Sequence, residues 1–132
     1  MKIILITHGE VGKELIQSCE MILGSVNDVF SLSLKPGKSM EELLSETDEL
    51  INSLTGSILI VTDLFGGTPN NVAMYCSGKY DVEVMTGLNL AMLVSLILGR
   101  DGDSLEKTID KSICDAKASI QRCQLVREEK NE

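Results

Sequence analysis

The chain has 132 residues, 43% apolar and 24% charged; that is enough for one buried core and excludes wholesale disorder. A formal charge of −8 argues against nucleic-acid binding as the main function. No apolar run approaches the roughly 18 residues of a membrane span.

Residues 2–7 (KIILIT) read as a buried strand that stops at His8, the only histidine. The N-terminus runs into this strand with no separate apolar segment and cleavage site, so no signal peptide is expected. Residues 11–23 carry Val11, Leu15, Ile16, Cys19, Ile22 and Leu23 at helical spacing. Residues 28–34 (DVFSLSL) alternate as a second strand, and Pro36-Gly37 makes a turn. Ser39-Met40-Glu41-Glu42 is a capping-box pattern opening a helix to about Leu54. Its acidic run (Glu41, Glu42, Glu46, Asp48, Glu49) reads as a solvated face.

Residues 57–62 (SILIVT) form a third strand, DLFGGTPNN a loop, and a helix follows to about Ser77. Residues 81–86 (DVEVMT) form a fourth strand and 89–99 an apolar helix. From Ser104 an amphipathic helix carries Leu105, Ile109, Ile113, Ala116, Ile120 and Cys123 on one face. Met74, Met85 and Met92 suit core filling. The four cysteines (Cys19, Cys76, Cys114, Cys123) contain no C-x-x-C pair. A metal site is not expected, and reduced thiols in a cytosol are.

The βαβαβαβα order implies a single α/β domain over residues 1–132, with an open, mainly parallel sheet and helices on both faces. Right-handed crossovers and a strand order of 2-1-3-4 open a crevice between strands one and three, beyond their carboxyl ends. His8 ends strand one and Asp63 follows strand three, so this order sets them face to face. In VTDLFGGTPNN, Thr68 suits an N-cap and Pro69 the first helical position. That helix start offers free amides and a positive dipole end to the crevice, which favours phosphate. No G-K-[ST] loop, G-x-G-x-x-G or G-x-S-x-G is present.

A lone histidine is more often structural, and Asp63 or the Gly-Gly stretch alone could serve only a turn. Together at two adjacent strand ends they favour chemistry. A carboxylate on one ring nitrogen fixes the tautomer, leaves the other nitrogen to attack and stabilises the cation that results. The amides balance charge on an incoming phosphoryl group.

These residues carry a family likeness. The chain, through ILITHGEVGKELIQSCEMILG, PGKSMEELL, ILIVTDLFGGTPNNVA and EVMTGLNLAMLVSLIL, resembles the IIA domain of the mannose class of the bacterial sugar phosphotransferase system. The resemblance implies a phosphohistidine at His8 paired with Asp63, with Gly66, Gly67 and Thr68 around the phosphoryl oxygens. It implies a pocket bordered by Thr86 to Asn89, and it gives Lys38 no role. Leu64, Phe65, Leu88 and Leu90 are candidates for an apolar docking rim, with burial under neighbouring helices the alternative.

The implied reaction takes a phosphoryl group from HPr onto His8 and passes it to a IIB component, expected here as a separate protein. IIB then phosphorylates sugar arriving through the membrane subunits IIC and IID. The resemblance implies no cofactor, a cytoplasmic location and a homodimer that exchanges an antiparallel C-terminal strand. Cys123 to Glu128 (CQLVRE) would be that strand, against a helix end in the periodic pattern. Competing readings are a IIA-like regulator, a dihydroxyacetone-kinase relay module, and a nucleotide- or flavin-binding domain with an incidental histidine. The sugar is not encoded here.

Overall fold

The structure, a computed structural model, describes residues 1–127. Four strands, β1 (Lys2–His8), β2 (Val29–Leu34), β3 (Ile58–Thr62) and β4 (Val82–Thr86), form one sheet in the order β2-β1-β3-β4. All three pairings are parallel; Ile6 lies opposite Leu32 on one side and Thr62 on the other, and His8 opposite Leu34. The helices are α1 (Val11–Leu23), α2 (Met40–Ser53), α3 (Thr68–Lys79), α4 (Leu90–Gly99) and α5 (Leu105–Ser119).

The side-chain period of two sorts the core into two layers. Ile3 and Leu5 of β1 with Leu59 and Val61 of β3 face α1, α4 and α5, joined by Cys19, Leu93 and Leu96. Ile4, Ile6, Ile58 and Ile60 face α2 and α3, joined by Leu43, Ile51, Val72 and Cys76. β1 and β3 are therefore covered on both faces and read as continuous apolar runs. Each fully buried isoleucine or leucine contributes about 1.5–3 kcal/mol relative to exposure. The winding reverses between β1, whose helix crosses to the first face, and β3, whose helix crosses to the second.

The last helix, Met74 and Leu88 depart from the sequence expectations. The last helix stops at Ser119, so Ile120 and Cys123 leave its buried face, and Ile120 is 79% exposed. Side chains take the terminal carbonyls: Ser119 Oγ donates to Ala116 O and Gln121 Nε2 to Ala118 O. Residues 120–127 form neither helix nor strand, with Leu125 and Val126 exposed, and Glu128 lies outside the described residues. Met74 is exposed on α3, whereas Met85 and Met92 are core residues. Leu88 is buried under the first layer and cannot form a rim.

Candidate functional site

β1 and β3 deliver His8 and Asp63 to the same point beyond the sheet's carboxyl edge. Asp63 Oδ2 accepts two hydrogen bonds from His8, one from the backbone N and one from Nδ1, each 3.0 Å. An ionised carboxylate only accepts, so Nδ1 carries the proton, and in the neutral ring that leaves the lone pair on Nε2. The imidazole side chain is 47% exposed, that of Asp63 17%. Asp63 Oδ1 is buried and has no hydrogen-bond partner among the described residues.

Two close contacts set this geometry. Gly12, in the first turn of α1, donates its N–H to Thr7 Oγ1 at 3.0 Å. A Cβ there would meet Ser31 Oγ at 2.7 Å and Leu5 Cβ at 3.2 Å, so α1 lies tight on the strand that ends in His8. On the other side Gly67 backs the ring: a Cβ would meet His8 Cε1 at 2.9 Å. Gly66 turns the loop with φ +81°, where a side chain is disfavoured.

α3 begins one residue earlier than its sequence suggests. Gly67, in extended backbone, is the N-cap and its carbonyl accepts from Asn71 N at 3.0 Å; Thr68 is the first helical residue and Pro69 the second. The N–H groups of a first turn have no partner inside the helix. Pro69 has no N–H, so Thr68 and Asn70 are the donors this turn presents.

Leu64 and Phe65 stand out from the loop, 60% and 81% exposed. Thr86 and Asn89 have internal duties. Asn89 caps α4, accepting from Met92 N at 2.9 Å. Thr86 Oγ1 lies 2.8 Å from Thr62 Oγ1. Thr62 Oγ1 also donates to Asn70 Oδ1 at 2.9 Å, and Leu88 N donates to the Thr62 carbonyl at 3.1 Å. Thr62 and Asn70 are not marked as site residues by any sequence pattern. Their signal was faint: a threonine ending an apolar strand, and one of two adjacent asparagines.

Beside β2, Lys35 Nζ pairs with Glu10 at 2.9 Å. Each shifts the other: Glu10 is held below the usual carboxylate range by Lys35, and Lys35 is raised by Glu10. Lys38 is structural, reaching Ser33 O and Glu46 at 2.9 Å. Among the described residues no group of three or more His, Cys, Asp or Glu side chains could hold a metal ion.

The arrangement brings together a half-exposed imidazole, a carboxylate bonded to its Nδ1 and the first turn of α3. The family described as "PTS system fructose IIA component" (EIIA-man) matches residues 2–113. The mannose-specific EIIAB component of Escherichia coli K12 is 33% identical over 104 residues, 76% of this chain and 32% of the relative. The chain thus spans about a third of that relative's length. The sorbose-specific EIIA component of Lacticaseibacillus casei is 31% identical over 114 residues, 83% of this chain and 80% of the relative. A mannose/sorbose-specific IIA subunit from Enterococcus faecalis superposes with a TM-score of 0.89 at 25% identity, covering 97% of this chain and 98% of the other. The component EIIA of Streptococcus agalactiae gives 0.85 at 30% identity, covering 92% and 95%.

Proposed function

Since the chain belongs to the mannose-class IIA family of the sugar phosphotransferase system, we propose that it is a phosphohistidine carrier in which His8 Nε2 holds the phosphoryl group and Asp63 holds the ring. The observation that carries this reading is the 3.0 Å bond from Nδ1 to Asp63 with the ring half exposed. The Nε2 lone pair attacks phosphorus of a phosphohistidine on the donor, HPr. The donor's P–N bond breaks and its electron pair returns to the donor imidazole. The His8 ring, already carrying a proton on Nδ1, becomes a substituted imidazolium whose charge faces Asp63. Thr68 and Asn70 N–H, with Gly66 and Gly67 permitting close approach, receive the phosphoryl oxygens. Passing the group to a IIB component repeats the step with His8 as the leaving group.

Phosphoryl transfer of this kind rests on positioning and electrostatics. Both partners must reach Nε2 and then leave, which suits the exposed pair Leu64 and Phe65 as an apolar docking rim. The relay places the protein in the cytoplasm and connects it to the membrane only through IIC and IID. We assign it to a homodimer: Ile120, Leu125 and Val126 expose apolar side chains, and β4 ends the sheet with an unpaired edge among the described residues. Transfer between protomers of the segment that starts at Cys123 would cover both.

The test is incubation with phosphoenolpyruvate, enzyme I and HPr, followed by intact mass. One added phosphoryl group is expected, labile to acid and absent in His8→Ala. An unlabelled wild-type protein alongside labelled HPr would defeat the proposal.

A further inference from the structure

A chain of buried polar side chains runs beneath the crevice. Thr62 is the last residue of β3, immediately before Asp63, and is fully buried. Its even position points its side chain to the face that carries α3, where it meets Asn70 of that helix's first turn, 6% exposed. Thr62 Oγ1 has one proton, given to Asn70 Oδ1; the hydroxyl of Thr86, at the end of β4, completes the chain at 2.8 Å. The backbone carbonyl of Thr62 accepts from Leu88 N. One residue thus gathers three of the segments around the crevice: β3 with its carboxylate, the start of α3, and the turn after β4.

We propose that Thr62 is a positioning residue for phosphoryl transfer, its hydroxyl fixing the start of α3 relative to Asp63 so that the α3 amides meet the phosphoryl group on His8. This rests on the carrier role proposed above. The physical ground is that a buried hydroxyl and amide must be paired, and here they find their partners only across element boundaries. Val72, Ala73 and Cys76 seat the body of α3 in the core, but an apolar residue at position 62 would fill the same volume without tying the helix's first turn to the end of β3. That turn would lose the side-chain bond that fixes where its donors lie.

The test is Thr62→Val, which keeps the branched shape and deletes the hydroxyl, with Thr62→Ser as the conservative partner. For labelling of His8 by phospho-HPr, kcat should fall about 10-fold, the scale of a misplacement of a fraction of an ångström. KM for HPr should hold, because Leu64 and Phe65 are untouched, and Thr62→Ser should regain most of the loss. Wild-type kcat in Thr62→Val, or an equal loss in Thr62→Ser, overturns the proposal. Thr86→Val removes one bond of the chain and should show the same split more weakly; an unchanged kcat there counts equally against it.

Amide hydrogen exchange reads the strut with no donor protein present. Exchange at Leu88 and Asn71 should quicken about fivefold in Thr62→Val, the worth of one net hydrogen bond. Unchanged exchange overturns the strut even where His8 is labelled normally. Quickened exchange in a protein whose wild type HPr cannot label upholds the strut and removes the carrier reading instead.

Discussion

Gly67→Ala isolates the fit between the loop and the imidazole. Gly67 has φ −77° and ψ 169°, a conformation alanine adopts freely, so backbone strain does not enter. The new Cβ would lie 2.9 Å from His8 Cε1. Carbon atoms rest at about 3.5–4.0 Å, so the ring must retreat by about 0.6–1.1 Å. If that retreat lengthens the 3.0 Å bond from Nδ1 to Asp63 by a similar amount, the bond is lost. The ring then has no fixed tautomer and no fixed aim. Replacing glycine by alanine at an N-cap costs about 0.5–1 kcal/mol of helix stability. The expected signature is therefore a labelling rate lowered about 10- to 100-fold with only a small fall in Tm. Gly56→Ala is the matched control. Gly56 has φ +83° at the opposite end of the sheet, and a Cβ there meets nothing within 4 Å. It should lose about 1–2 kcal/mol of stability and keep its labelling rate. Rapid-quench labelling by phospho-HPr and nitrogen-15 shifts of the His8 ring are the assays. A folded Gly67→Ala protein with wild-type rate and wild-type ring shifts would refute the steric reasoning.

Asp63→Asn should slow labelling about 10²-fold while circular dichroism stays unchanged, since among the described residues the hydrogen bonds of its carboxylate go to His8 alone; an unaltered rate removes Asp63 from the mechanism. Phe65→Ser should raise KM for HPr and shift stability by no more than about 0.5 kcal/mol, read by steady-state labelling and thermal melts; an unchanged KM takes Phe65 out of the rim. The Cys76 thiol is pushed up to about 11 by burial and then by the charge of Asp48, with Lys79 acting in the opposite sense. From the ordinary 9.0 up to that value the unfolded chain gives up a proton the folded one keeps, so stability falls as pH rises, by about 2–3 kcal/mol in all. Denaturant titrations from neutral to strongly alkaline pH should show this slope, flattened in Cys76→Ala; equal slopes would contradict it.

The sheet was legible because its signals are local and strong. KIILIT and SILIVT are too apolar and too short for surface helices, and buried strands covered on both faces read in that way. The crevice was legible too, because topology alone carries the ends of β1 and β3 to one place. Helix limits were less legible. Periodicity carried α5 through Cys123, but the described core does not extend past Ala116 and side chains close its last turn. Leu88 resembled an exposed loop residue, yet the bond from its N–H to Thr62 draws it inward. The Thr62–Asn70–Thr86 chain joins residues 8 and 24 positions apart. Each of its members looks ordinary in its own window, and only the fold makes them neighbours.

Pro69 has an effect out of proportion to its size. By taking one donor from the first turn of α3 it would give the phosphoryl group of the proposed relay a lighter hold. A courier benefits from that economy, because cargo clutched tightly would stay where it was delivered. Lightly tethered, such a group would keep its drive to move on to the next carrier.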